Sequence, residues 1–179
     1  MVLADGTTRS NITISDAQGK LAAHLKTHGF SVGEEQLQQI TRDLENQAGE
    51  GDVLVISGST PEGVPAGYYE QLIRNCREKG CSIIFDSSGT YFKNGLKGLP
   101  DVIKPNIEEL KELSGSAIRT VSDIIREAKA LNDTGIRMVF ISRGKKGVLL
   151  SVKEQPGYWT ANVNLGRDHR EGNAFGCGD

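Results

Sequence analysis

Cysteine is scarce in this chain. Cys76, Cys81 and Cys177 are the only three in 179 residues, and no two of them form a Cys-x-x-Cys pair. A sparse, odd set argues against a secreted disulfide framework and fits a reducing cytoplasm. A dominant charge is missing as well. Lys and Arg number 21 and Asp and Glu 23, a formal net charge of −2. That balance leaves no electrostatic footprint for duplex nucleic acid, so no nucleic-acid partner is expected. No apolar run approaches the roughly 20 residues that span a bilayer. The opening Met1-Val2-Leu3-Ala4-Asp5-Gly6 lacks a basic region followed by an apolar one, so neither a membrane partner nor a signal peptide is expected. Internal repeats, low-complexity segments and any Gly-Gly pair are absent too.

What is present describes a globular chain. Hydrophobic residues make up 37% and charged residues 25%, which excludes a disordered or collagen-like polymer. The 22 glycines imply many tight turns and loops where backbone approaches a ligand closely. Thr8 to Ile14 alternates as a strand, Asp16 to Gly19 supplies a turn, and Lys20 to Leu25 returns to make a hairpin. His24 and His28 stand four apart, but with no third ligand nearby they read as solvated residues. Beyond Gly33 the period changes. Leu37, Ile40, Thr41 and Leu44 recur at helical spacing, and Gly49 and Gly51 end the run. Asp52 to Ser57 is a continuous apolar run that predicts a strand buried on both faces. Helices are predicted over 66–79, 91–96, 106–113 and 121–132, and strands over 81–86, 101–104, 139–142, 147–152 and 158–163. Strand and helix alternating in this way imply an α/β fold, with right-handed crossovers, a mainly parallel sheet and helices on both faces. Ligands bind such sheets beyond the carboxyl ends of the strands. The residues there are Ser57-Gly58-Ser59, Asp86-Ser87-Ser88-Gly89, Lys104-Pro105-Asn106 and Ser142-Arg143-Gly144.

The last five residues, Phe175-Gly176-Cys177-Gly178-Asp179, set two glycines one residue apart before an Asp. Successive backbone N–H groups at such glycines converge on an anion, above all where a helix follows. The Asp is suited to take a proton from a hydroxyl while the nest stabilises a transferring phosphoryl group. Upstream lie Lys104-Pro105-Asn106-Ile107-Glu108-Glu109 and the loop Ser142-Arg143-Gly144-Lys145-Lys146-Gly147. Further upstream lie Thr8-Arg9-Ser10-Asn11, Ser57-Gly58-Ser59-Thr60-Pro61-Glu62-Gly63 and Asp86-Ser87-Ser88-Gly89. In this order and spacing the motifs resemble the ribokinase-like, phosphofructokinase-B type carbohydrate kinases. The closest resemblance is to their sugar-phosphate subgroup, the 1-phosphofructokinase and tagatose-6-phosphate kinase kind.

The resemblance implies a ribokinase-like α/β fold with a small lid-like β hairpin. Residues 1–30 would form the lid-like segment and residues 31–179 an incomplete nucleotide-binding core. It implies ATP and Mg²⁺ as cofactors, a small sugar phosphate as substrate, and pairing of two copies through the lid strands. Asp179 matches the catalytic base, and Gly176 and Gly178 match its anion hole. Glu109 matches a residue that helps hold Mg²⁺. Lys104 and Asn106 would lie near the ATP phosphates, and Ser142, Gly144 and Gly147 match the nucleotide loop. Arg9 matches a contact to the phosphate already on the sugar, a task suited to a planar guanidinium fork. Asn11 belongs to the same substrate-binding segment, and Ser59 would approach the substrate. Lys145 and Lys146 read as exposed turn charges, Cys76 and Cys81 as core thiols, Cys177 as a small filler and Trp159 as packing.

The chain also departs from that pattern. It begins at the lid-like strand, without the Gly-Gly substrate region expected in front, and stops at Asp179 where a helix is expected. Taken by itself it is therefore expected to be inactive. Arg143 stands where an aliphatic residue is expected. Two other functions stay open: a kinase for an unphosphorylated sugar or a nucleoside, for which Arg9 has no use, and a nucleotide-binding module without turnover.

Overall fold

The computed structural model of the chain describes residues 6–17, 21–27, 29–155, 157–161 and 175–178. They belong to two compact units. The first runs to Gln47 and adds Thr60–Pro65; the second holds Ala48–Ser59 and everything from Ala66 onward.

In the first unit, strands β1 (Asn11–Ser15) and β2 (Leu21–Lys26) pair antiparallel. The predicted hairpin is present, and its first strand begins at Asn11, two residues after Arg9. His24 lies on β2, where helical spacing has no meaning, and His28 lies outside the described residues. Helix α1 (Glu34–Gln47) carries Glu34 and Glu35 in its first turn, the favourable place for carboxylates. Before it, the Gly33 N–H donates to Gln36 Oε1 at 3.0 Å. Val32, Leu37 and Val64 are buried, and the Val32 N–H donates to the Glu62 carbonyl at 2.9 Å. Gly63 sits at φ +92°, and a Cβ there would stand 2.1 Å from the Val32 carbonyl oxygen, so this close approach requires glycine.

The second unit is built on a sheet of seven described strands in chain order. These are β3 (Val53–Ser57), β4 (Ser82–Asp86), β5 (Val102–Ile103), β6 (Met138–Ser142), β7 (Val148–Val152), β8 (Tyr158–Ala161) and β9 (Phe175–Gly178). Pairing is parallel from β3 to β6 and antiparallel from β6 to β9. Helices α2 (Tyr68–Glu78), α3 (Gly89–Gly95), α4 (Ile107–Ser114) and α5 (Val121–Asp133) fill the connections. Strand β5 is shorter than the predicted 101–104. The Asp101 carboxylate accepts the Ile83 N–H at 2.8 Å in place of a ladder bond, and Pro105 has no N–H to continue the strand.

The two faces of this sheet are buried unequally. Ile83, Phe85, Ile103, Val139, Ile141 and Leu149 are fully buried, and register places them on one face. Phe85 meets the rings of Tyr69 on α2 and Phe92 on α3, with both centroid distances 5.7 Å. Gly95 permits this packing, since a Cβ there would lie 2.4 Å from the Phe85 ring. The other face is more open. Val53 and Val55 on β3 are 59% and 57% exposed, which corrects the expectation of a strand buried on both sides. Among the described residues β3 is the edge strand, paired with β4 alone. Cys76 and Cys81 are buried and outside any disulfide, in keeping with their reading as core thiols. No helix among the described residues is long and apolar enough to cross a membrane.

One buried polar link ties α5 to the sheet. Ser151 Oγ donates to Asn132 Oδ1 at 2.6 Å, and Asn132 Nδ2 donates to the Ile136 carbonyl at 2.9 Å. Both residues are nearly inaccessible. Ser151→Ala leaves the Asn132 oxygen buried without that donor. It is expected to lower unfolding free energy by about 1–3 kcal/mol, read by urea denaturation. Helix α5 also begins with a reciprocal cap between Thr120 and Asp123. Hydrogen bonds from the Arg119 and Thr120 backbones, the Thr120 hydroxyl and Arg126 hold the Asp123 carboxyl well below its ordinary value of 3.8. Its contribution is therefore full above that value and fades as pH falls below it. Asp123→Asn should flatten the acid end of a melting-temperature profile below about pH 4 and leave its slope near neutrality unchanged.

Candidate functional site

Because β3 to β6 run parallel, their carboxyl ends open at one edge of the sheet. Ser57 ends β3 opposite Asp86, which ends β4. Lys104 follows β5, and its Nζ lies 3.3 Å from Asp86 Oδ2. Ser57 Oγ donates to the same oxygen at 3.5 Å. One carboxylate thus gathers side chains from the ends of three strands. All three side chains reach solvent, so the contacts contribute at most about 1 kcal/mol to folding. Their position, not their strength, sets them apart.

The next strand brings in the rest. Asn106 bridges to Ser142 in parallel fashion, and the Ser142 N–H donates to the Pro105 carbonyl at 3.0 Å. Asn106 is also the N-cap of α4. Its Oδ1 accepts the N–H groups of Glu108 and Glu109 at 2.8 and 2.9 Å. Glu109 Oε2 accepts the Asn106 N–H in return, at 2.9 Å. The Asn-x-x-Glu segment is therefore a capping box. One Glu109 oxygen is committed to the helix start, and the residue also lines a small hollow of about 240 Å³ between α3 and α4, with Lys93 and Glu112. Among the described residues no three His, Cys, Asp or Glu side chains form a metal cage. A carboxylate such as Glu109 nevertheless fits a hydrated Mg²⁺, which keeps most of its waters and takes one or two protein carboxylates.

The loop from β6 to β7 is tightly closed. The Arg143 N–H donates to the Gly147 carbonyl at 2.8 Å, and the Gly147 N–H donates to the Gly144 carbonyl at 3.0 Å. Gly144 and Gly147 have φ of +58° and +78°, values that favour glycine. Lys145 and Lys146 are exposed, as their reading as turn charges required.

The remaining candidates are distributed as follows. Ser59 is exposed in the loop after β3. Arg9 and Asn11 belong to the first unit. Gly176 and Gly178 lie on extended β9, opposite Thr160 and Tyr158. Asp179 lies outside the described residues.

Residues 2–164 match the model of the pfkB family carbohydrate kinases. The chain belongs to the pfkB family. It is 32% identical over 147 residues to a 1-phosphofructokinase of Escherichia coli K12, covering 82% of this chain and 47% of that protein. It is 28% identical over 174 residues to a 1-phosphofructokinase of Bacillus subtilis, covering 97% of this chain and 54% of that one. A crystal structure of phosphofructokinase-2 from Escherichia coli in complex with potassium superposes with a TM-score of 0.79 at 27% identity. That match covers 90% of this chain and 52% of the other. The chain spans about half the length of the relatives it matches.

For this pfkB chain the structure gathers Lys104, Asn106, Glu109, Ser142, Gly144 and Gly147 in one unit, along neighbouring strand ends. Sequence reasoning had marked the strand-end segments but had not chosen Asp86 or Ser57. Their signal was positional, since each ends a strand, while the pairing with Lys104 depends on register. The cap makes a separable prediction. Asn106→Ala should cost about 0.5–2 kcal/mol in urea denaturation. Glu109→Gln should be nearly neutral by the same measurement, because a glutamine oxygen accepts the same N–H.

Proposed function

We propose that the protein carrying this chain is an ATP-dependent kinase that phosphorylates a hydroxyl of a sugar phosphate, of the 1-phosphofructokinase kind. The observation that supports this reading is the parallel bridge between Asn106 and Ser142. It sets the Lys104-Pro105-Asn106 turn beside the Ser142–Gly147 loop at the ligand-binding edge of the sheet, in a chain whose family relatives carry the name 1-phosphofructokinase.

Each residue then has a task. Lys104 and Asn106 lie near the nucleotide phosphates, and Ser142, Gly144 and Gly147 shape the nucleotide loop. Asn106 fixes the start of α4, and with it the side chain of Glu109. Glu109 would hold a hydrated Mg²⁺, whose charge offsets that of the phosphates. Asp179 takes the proton of the acceptor hydroxyl, and the amides of Gly176 and Gly178 stabilise charge on the phosphoryl oxygens. Arg9 pairs with the phosphate already on the sugar, Asn11 and Ser59 contact the sugar, and the incoming hydroxyl is held in line by these contacts. Two copies pair through the lid strands. Ile12 and Ile14 on β1 and Leu25 on β2, each about half exposed, share one face of a two-stranded sheet, and a second copy would cover it. The buried cysteines Cys76 and Cys81, outside any disulfide, support a cytoplasmic setting.

The test is coupled ADP release by the complete protein with fructose 1-phosphate, fructose 6-phosphate and tagatose 6-phosphate. Turnover that depends on one of these sugars is expected. Asp179→Asn should lower kcat by roughly 10²–10⁴-fold with ATP affinity retained. Arg9→Ala should raise KM for the sugar phosphate, by the equivalent of about 1.5–3 kcal/mol, with KM for ATP unchanged. Turnover of unphosphorylated sugars alone would sink the sugar-phosphate assignment. ATP binding without any turnover would leave a non-catalytic nucleotide module.

A further inference from the structure

Lys104 is held at the edge of the sheet by a residue of another strand. Its Nζ lies 3.3 Å from Asp86 Oδ2, and the two side chains are 53% and 31% exposed, so a ligand can reach both. Ion pairs elsewhere in the chain, such as Arg74–Glu70, Lys111–Glu108 and Arg126–Asp123, join neighbours on one helix. The register that pairs Phe85 with Ile103 is what carries Asp86 to Lys104. Asp86 is itself fixed from the other side. Its backbone carbonyl accepts the Gly58 N–H at 3.1 Å, and its Oδ2 accepts the Ser57 hydroxyl at 3.5 Å.

Folding does not account for this carboxylate. An ion pair so exposed adds little to stability, and Asp is depleted from strands. Phosphate binding alone does not account for it either, since a carboxylate beside a phosphate site repels the ligand. What the pair supplies is order. Lysine carries its charge on a flexible four-carbon stem, and a ligand that captures it must freeze that stem. The contact with Asp86 restricts the stem before any ligand arrives. An ammonium has three N–H donors, so one contact leaves two for phosphate oxygens.

The geometry points to Asp86 as a positioning residue, which holds the Lys104 ammonium where it meets a nucleotide phosphate. The inference rests on the reading that Lys104 lies near the nucleotide phosphates, and it adds the residue that aims its charge.

The test measures ATP affinity of the complete protein by calorimetry in a double-mutant cycle of Asp86→Asn and Lys104→Met. Asp86→Asn keeps the side-chain shape and an acceptor for Ser57, and removes the charge that holds the ammonium. Both positions reach solvent, and folding of each variant is checked by an unchanged melting temperature. With Lys104 present, Asp86→Asn is expected to weaken ATP binding roughly three- to tenfold, the ordinary loss for freezing one long side chain. In the Lys104→Met background the same change should strengthen ATP binding or leave it as it was, because only the repulsion between carboxylate and phosphate is then removed. A merely structural role would weaken binding in both backgrounds. An equal loss in both would therefore overturn the proposal, as would Asp86→Asn with the ATP affinity of wild type. A Lys104→Met protein that binds ATP as tightly as wild type would overturn the reading of Lys104 itself, and the proposal with it.

Discussion

Parallel pairing of β3 through β6 makes four chain segments leave the sheet at the same edge, and the candidate site follows from that constraint. Residues at and just past these strand ends turn side chain or backbone to neighbours in the next segment. Ser57, Asp86 and Lys104 meet in this way, and Asn106 meets Ser142. Register decides which of them touch. It is held by the buried face, where Ile83, Phe85, Ile103, Val139 and Ile141 interlock under the helices. A slip of one residue would turn all of these to the open side.

Stability and site chemistry therefore sit at different places on the same strands. The apolar residues at alternate positions hold the sheet, while the ion pair and hydrogen bonds at the carboxyl edge are half exposed and contribute little to folding. The cap of α4 joins the two. Asn106 and Glu109 satisfy donors that any helix start leaves unpaired, as Thr120 and Asp123 do at α5. What distinguishes the first cap is its neighbour, since Asn106 lies beside Ser142. The same four-residue chemistry is ordinary helix punctuation in one place and the border of a candidate phosphate site in the other.

The open side of β3 has the opposite character. Val53 and Val55 are apolar, exposed and on the edge strand, a surface that sheets seldom leave uncovered. The run Val53-Leu54-Val55-Ile56 has the composition of a strand enclosed on both sides. Its composition and its surroundings in this chain disagree, and the chain spans only about half the length of its relatives.

Local physics was legible in the order of residues. Helical spacing of Leu37, Ile40 and Leu44, the apolar runs of β3, β4 and β6, and the glycines after α1 and α2 announced the elements to within a few positions, because each signal is carried by near neighbours in the chain. The motifs at the strand ends pointed to the pfkB family for the same reason. Tertiary structure alone decided the contacts between distant positions. These include the Ser57–Asp86 link across 29 positions and the Asn132–Ser151 bond across 19. They also include the exposure of Val53 and Val55 and the extended path of Gly176 and Gly178. Periodicity and capping depend on residues three or four apart, whereas burial and pairing depend on which strand lies alongside.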